Sequence, residues 1–170
     1  MIERPKPQYR IGIGSDIHRL AKGRQLMLGG VHIAYPSGLV GHSDGDAAIH
    51  AIIDALLGAA GMGDIGGMFP DSDAKWHNAE GKELLLIVKE KLKEKDLEIA
   101  NIDLIIHAEQ PRLESVKGQM KRCISGYLDI DFMSVNVKAK TNEGLGPVGA
   151  GEAIAATATA LLKKKYRRTL

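Results

Sequence analysis

The chain has 170 residues, 44% of them hydrophobic and 26% charged, with 23 basic and 21 acidic side chains for a formal net charge of +2. That length suits one globular domain, buries roughly two thirds of its extended surface without staples, and carries no overall field for nucleic acid or a membrane surface. The single cysteine, Cys123, excludes an intrachain disulfide framework and suits a reducing compartment, and no apolar run approaches the ~20 residues of a membrane span.

From the N-terminus, MIERPKPQ is polar and proline-broken, without the apolar core of a signal peptide. It is expected to be a flexible tail (1–8) before a single cytoplasmic domain (9–170). YRIGIGSDIHRL (9–20) alternates as a strand does. Ile11, Ile13 and Ile17 share one face; Gly12, Gly14, Asp16 and His18 share the other. RQLMLGGVHIAY (24–35) predicts one or two short strands around Gly29 and Gly30. A helix is expected over 43–60, with Ser43 as N-cap and Asp46 three residues on. GMGDIGGMFPDSD (61–73) is a glycine-rich loop, and Trp76 and His77 belong to loop surface or an interface.

An amphipathic helix over 79–95 places Leu84, Leu85, Val88 and Leu92 inward. A strand over 98–108 follows, with Ala100, Ile102, Leu104 and Ile106 on one face. Then come a helix over 112–128, holding Cys123 as a core thiol, and a strand over 132–140 with Met133, Val135 and Val137 inward. A last helix is expected over 152–167, its late lysines suiting the negative end of the helix dipole. Strands and helices interleave, so the fold class is an α/β (α+β) sandwich: a four-stranded mixed sheet with helices on one face. The other face, with Asn101, Asp103, Ser134, Asn136 and Lys138, is too polar for a dry core and fits a damp oligomer interior.

The 43–60 helix poses the chemical question. It is apolar almost all round, yet Asp46, His50 and Asp54 follow one another at i, i+4 spacing along one flank. An unpaired buried carboxylate costs several kcal/mol or more, so each acid needs a partner or a metal. One reading is helix polarity alone, with Asp46 capping, Asp54 holding a neighbouring amide and His50 a satisfied buried imidazole. The other joins His50 to Asp16 and His18, which share a strand face beside two glycines. One carboxylate and two imidazoles make a three-ligand site with an open position. Nitrogen and oxygen donors without cysteine suit Zn2+ or a similar divalent ion. His42, at the helix N-terminus, adds an imidazole where phosphates bind. In KAKTNEGLGPVGAGEA (138–153), Thr141 and Glu143 follow a strand end; spacing alone favours an ordinary strand-to-helix turn, while glycines 144, 146, 149 and 151 would let the backbone approach an anion. The lysine and hydroxyl residue of a Walker loop are absent.

Three stretches, SDIHRL, LVGHSDGDAAIHAIIDALLGAAGMGDIGGMFPDSD and VNVKAKTNEGLGPVGAGE, resemble the 2-C-methyl-D-erythritol 2,4-cyclodiphosphate synthase family. The likeness runs over about residues 9–165. It implies conversion of 4-diphosphocytidyl-2-C-methyl-D-erythritol 2-phosphate into a cyclic diphosphate and CMP, within non-mevalonate isoprenoid synthesis. By resemblance Asp16, His18 and His50 hold Zn2+, and Glu143 helps hold a second ion, Mg2+ or Mn2+. His42 and Thr141 match positions that stabilise the transition state. Asp64, Ile65 and Gly66 match the ribose site; Phe69, Asp71 and Asp73 meet the methylerythritol end. Ala108, Arg112 and Leu113 fall in the stretch around the cytosine. Lys140, Asn142 and Ser43 join the substrate contacts. The resemblance further implies a homotrimer with active sites between subunits, and no nucleic-acid or membrane partner.

The chain departs from the family pattern at Pro147 and Ala150, where many members carry an aromatic residue and an arginine facing a central cavity for an isoprenoid diphosphate. It also has Arg112 for a common lysine, Glu114 for a common apolar residue and Lys140 for a threonine. Two other readings use the same residues. A zinc phosphohydrolase with water as nucleophile releases inorganic phosphate, and a trimeric nucleotide-binding regulatory module tolerates loss of His50.

Overall fold

The computed structural model describes residues 9–41, 43–70, 72–76 and 79–165; the tail expected over 1–8 lies outside them. In chain order the elements are β1 (Tyr9–Lys22), β2 (Leu26–Leu28), β3 (Val31–Ile33), β4 (Ser37–Leu39), α1 (Ala47–Ala60), α2 (Ile65–Met68), α3 (Gly81–Glu94), β5 (Leu97–His107), α4 (Lys117–Leu128), β6 (Val135–Lys140), α5 (Gly146–Gly149) and β7 (Ala153–Lys164). Strands β4-β1-β7-β5-β6 form one sheet, and β2 and β3 pair as a separate hairpin. Only β5 and β6 run parallel, joined by α4, the kind of crossover a parallel pair requires. Among the described residues no helix is long and apolar enough to cross a membrane.

The mixed sheet has five strands, where four were expected. β4 is a three-residue strand, too short to show a period. The larger correction is β7: the helix expected over 152–167 is a strand at the middle of the sheet, between β1 and β5. Its alanines favour a helix in isolation. Their side chains instead alternate with Thr157 and Thr159, and Ala156, Ala158 and Ala160 are at most 1% exposed. Tertiary packing overrides propensity because α1 lies flat against this part of the sheet, where only small side chains fit. At Gly12 and Gly14 the approach is closest. A Cβ there would stand 2.0 Å from the Ala55 carbonyl oxygen and 2.2 Å from that of Ala51.

α1 accordingly buries Ile49, Ile52, Ile53, Leu56 and Leu57 completely. It starts later than expected, because Asp46 and not Ser43 is its N-cap. The Asp46 carboxylate accepts from the Ala48 and Ile49 amides, and also from those of Gly29 and Gly30 in the β2–β3 turn. One buried acid thus caps the helix and ties the hairpin to it. Gly61 closes α1 in the left-handed region (φ 67°).

α3 and α4 complete the helical layer, with Leu84, Leu85, Val88 and Leu92 buried as expected. The 112–128 helix begins only at Lys117. Met133, expected inward, is 79% exposed, because residues 132–134 form a 3-10 turn that breaks the strand's alternation. Ala100 leaves its expected row at a bulge between Ile99 and Asn101. On the sheet's open face Ile13, Thr159, Asp103 and Asn136 lie in one row across four strands. Ile11, Ile13 and Ile17 are 75%, 70% and 56% exposed there. Asp103 accepts from Asn136 and Lys138 at the other end. This face is therefore apolar along β1 and polar along β5 and β6.

Candidate metal and nucleotide site

β1 and α1 bring Asp16, His18 and His50 together, with one ligand atom of each within 4.8 Å of the others. Strand alternation turns Asp16 and His18 to the helical side. The glycines at 12 and 14 let α1 come close enough for His50 to meet them. His50 Nδ1 lies 3.0 Å from Asp16 Oδ2, and His18 Nδ1 lies 2.9 Å from the same oxygen. The His18 nitrogen is buried yet has no hydrogen-bond partner. A buried imidazole nitrogen left without a hydrogen bond beside a carboxylate oxygen fits a cluster built for a shared cation. The other nitrogen of His50 contacts Ser43 Oγ at 3.1 Å, which orients the ring as outer partners of a ligating imidazole do. Gly41 leaves clearance at His18, where a Cβ would stand 3.0 Å from Nε2.

The electrostatics agree with that geometry. Burial acts to raise the Asp16 carboxyl, but the His18 and His50 rings set against it and their charges outweigh it and hold it far below the usual carboxylate range. Burial acts to lower His50, and the Asp16 bond and charge, aided by Asp46 and Asp44, lift it above its ordinary value. The site therefore favours positive charge on the His50 ring when no other cation is bound.

A cavity of about 530 Å³ opens over this cluster. Ser43, Ile65, Gly66 and Phe69 of the expected substrate residues line it with Asp16, His18 and His50. Asp64 caps α2, accepting from Gly67 N at 2.7 Å, and stands next to that wall. Phe69 is buried edge-on against Trp76, ring centroids 4.9 Å apart. Asp73 accepts from Lys75 N and is not part of the cavity's lining. His42 and Asp71, like His77, lie outside the described residues. Asp46 and Asp54 take the helix-polarity roles. Asp54 accepts from Ile65 N at 2.7 Å and so docks α2 on α1. Its carboxyl is pushed up by burial and by the charges of Asp64 and Asp16, against the pull of the Ile65 amide.

The remaining expected residues form a second group. Ala108 N donates to the Lys140 carbonyl at 2.9 Å, Thr141 Oγ1 donates to Glu143 Oε1 at 2.6 Å, and Leu113 is buried below them. Ala108, Arg112, Leu113, Lys140, Thr141, Asn142 and Glu143 do not line the cavity over Asp16. Asp16, Ala156, Ile106 and Ala139 are consecutive partners across β1, β7, β5 and β6. At about 4.8 Å per strand the second group begins roughly 10 Å away at the end of β5 and roughly 14 Å away at the end of β6. Sequence reasoning placed Glu109 only within the cytosine stretch 108–114 and gave His107 no role in this second group. Glu109 accepts from the Asn142 and Gly144 amides, and His107 Nδ1 contacts Asn142 Oδ1 at 3.0 Å. Neither left a signal in spacing, since each partner is more than thirty residues away.

The chain is similar to known proteins over nearly its whole length. Residues 9–163 match the YgbB family. The 2-C-methyl-D-erythritol 2,4-cyclodiphosphate synthase of Alkaliphilus oremlandii is 50% identical over 155 residues, which cover 91% of this chain and 99% of that protein. The bifunctional IspDF of Campylobacter jejuni superposes with a TM-score of 0.89 at 42% identity, over 94% of this chain and 43% of that one. The Plasmodium falciparum IspF in complex with CDP superposes with a TM-score of 0.83 at 34% identity, over 95% of this chain and all of that one.

Proposed function

This chain belongs to the YgbB family, and from that membership we propose that it converts 4-diphosphocytidyl-2-C-methyl-D-erythritol 2-phosphate into 2-C-methyl-D-erythritol 2,4-cyclodiphosphate and CMP. The single observation that carries the reading is the Asp16–His18–His50 cluster at the wall of a substrate-sized cavity. The substrate's own 2-phosphate attacks the β-phosphorus of the CDP group; the bond to the CMP oxygen breaks, and the ring closes. No protein nucleophile is required. Asp16, His18 and His50 would hold Zn2+, and Glu143 would share a second ion, Mg2+ or Mn2+. Two bound divalent ions supply the neutralisation this attack demands, because each pair of unit negative charges about 4 Å apart repels by about 4 kcal/mol at an effective dielectric of 20.

The protein's own groups bind and orient. Asp64, Ile65 and Gly66 receive the ribose. Phe69, with Asp71 and Asp73, meets the methylerythritol end. Ala108, Arg112 and Leu113 surround the base, and Lys140, Thr141, Asn142, Ser43 and His42 hold the phosphates. Keeping the two phosphates together in one pose supplies much of the rate.

A complete site then needs two copies of the chain. The Thr141–Glu143 loop begins roughly 14 Å from the Asp16 cluster within one subunit, too far to grip one diphosphate with it. The exposed isoleucines of β1 offer the surface on which copies meet. The assembly is a homotrimer with the cavity of one subunit closed by the Thr141–Glu143 loop of the next. Pro147 and Ala150 leave its centre without a cation for an isoprenoid diphosphate.

The test is to supply the CDP-linked substrate with Mg2+ and identify products by mass. CMP and the cyclic diphosphate in equal amounts are expected. Inorganic phosphate in their place, or no CMP with any divalent metal, refutes the reading.

A further inference from the structure

The 141–144 loop has the shape of an anion receptor, and the protein fills it itself. Glu143 and Gly144 both lie in the left-handed region, at φ 51° and 77°. That conformation costs a non-glycine residue free energy and persists only where its surroundings impose it. It turns the amides on either side, those of Asn142 and Gly144, to one point. Such a concave pair of N–H groups attracts anions. Glu109 Oε1 sits at that point, 2.8 Å from Asn142 N and 3.2 Å from Gly144 N. The anion that the glycine-rich segment was expected to approach is therefore an internal carboxylate.

Glu109 also directly follows Ala108, whose amide is bonded to the Lys140 carbonyl at 2.9 Å. Next to it, His107 Nδ1 donates to Asn142 Oδ1 at 3.0 Å. Three consecutive residues, His107 to Glu109, thus grip Lys140 at the end of β6 and Asn142 and Gly144 beyond it. One side of this junction carries the proposed base-binding stretch, the other the proposed phosphate and second-ion loop.

We infer that Glu109 is a positioning residue: its carboxylate holds the Thr141–Glu143 loop in register with the base-binding stretch, so that base and diphosphate are gripped as one unit. The inference rests on the assignment of these two stretches to the nucleotide end of the substrate. Geometry, not charge, sets the function. A glutamine can present a carbonyl oxygen to both amides. An aspartate keeps the charge but is one methylene too short to reach them.

The experiment compares Glu109→Gln, Glu109→Asp and Glu109→Ala in the full chain, measuring the Kd of Mn2+·CDP, amide hydrogen exchange at residues 142–144, and zinc content. Outer-shell support of a metal site is typically worth 10–100-fold in affinity. The expectation is Mn2+·CDP binding weaker by about tenfold or more in the aspartate and alanine variants, with faster exchange confined to the loop and zinc content unchanged. Glu109→Gln should stay within about threefold of the parent. Parental affinity in the alanine or aspartate variant overturns the inference, as does a glutamine variant as weak as alanine. If the parent chain makes no CMP but these differences in Mn2+·CDP binding persist, the cyclisation reading fails and this one stands. If the parent does not bind Mn2+·CDP, this one fails with it.

Discussion

Gly14→Ala tests whether the metal cluster depends on the close seat of α1 on β1. The added Cβ would stand 2.2 Å from the Ala51 carbonyl oxygen, 2.5 Å from Ala55 N and 2.7 Å from Asp54 Cβ. Carbon contacts settle at roughly 3.5–4.0 Å. The first two neighbours are helix backbone and have no rotamer to change, so α1 must retreat by about 1 Å. Overpacking of this kind costs about 1–3 kcal/mol, and an unyielding backbone places it near 3 kcal/mol. For a chain of this length that lowers Tm by about 6–12 °C. The functional loss follows from position. His50 precedes Ala51 on the helix, and its Nδ1 lies 3.0 Å from Asp16, two residues beyond Gly14. A retreat of about 1 Å opens the ligand triangle, and a misplacement of that size can cost on the order of 100-fold in rate. The assay is a thermal scan with zinc quantified after dialysis, followed by CMP formation on the CDP-linked substrate. Gly58→Ala is the control: its Cβ would meet nothing nearer than 3.8 Å, so it should gain about 0.5–1 kcal/mol from helix propensity. A Gly14→Ala protein with parental Tm and zinc content would refute the reasoning.

Other perturbations act on the same helix and its ligands. Asp46→Asn turns an acceptor of four amide N–H groups into a side chain that must point its own NH2 at one of them, Gly30 N by the present arrangement. The expected cost is about 1–3 kcal/mol in urea unfolding; an unchanged midpoint counts against the cap-and-tie role. For pH, His50 is raised, so in the zinc-free protein its stabilisation is fully present below its unfolded value of 6.5 and is lost as pH rises through the higher folded value. Asp16 is depressed, so its share is present above 3.8 and lost as pH falls towards its folded value. Zinc-free stability from this pair should therefore be greatest between those limits. Zinc requires a neutral His50, so the Tm gain from zinc should grow from pH 6 to pH 8. A gain independent of pH would separate His50 from the metal.

Much of the fold was legible where side-chain period and burial agree. β1 showed its alternation, and Gly12 and Gly14 marked one face, though not that a helix would lie against them at contact distance. α3 was plain from its leucine stripe. β7 was obscured because its signal is carried by alanines, the residues with the strongest helix preference. The alternation Ala156, Thr157, Ala158, Thr159, Ala160 was present, but small residues give it little amplitude. Their smallness reflects the seat of α1, a fact about a neighbour more than ninety residues away. Asp46 shows the same limit. Its spacing to His50 and Asp54 suggested one shared flank of acid–imidazole–acid, but the helix begins just after it and the hairpin glycines supply its partners.

The site divides along the same line. Asp16 and His18 are separated by one strand period and His50 lies on a helix, so one assumption, that strand and helix touch, brings the triad together. The other half of the site is held by contacts with no period. Glu109 meets the Asn142 and Gly144 amides across 33 and 35 residues, through a parallel pairing of β5 and β6 whose register only the folded sheet sets. The glycines after Glu143 suggested an anion near the backbone, and an anion is there, belonging to the chain itself. A glycine-rich turn after a strand therefore specifies an electrostatic demand without specifying who satisfies it. Where the protein satisfies it internally, the turn is held ready before substrate arrives, and the ordering that binding would otherwise have to impose has already taken place in folding.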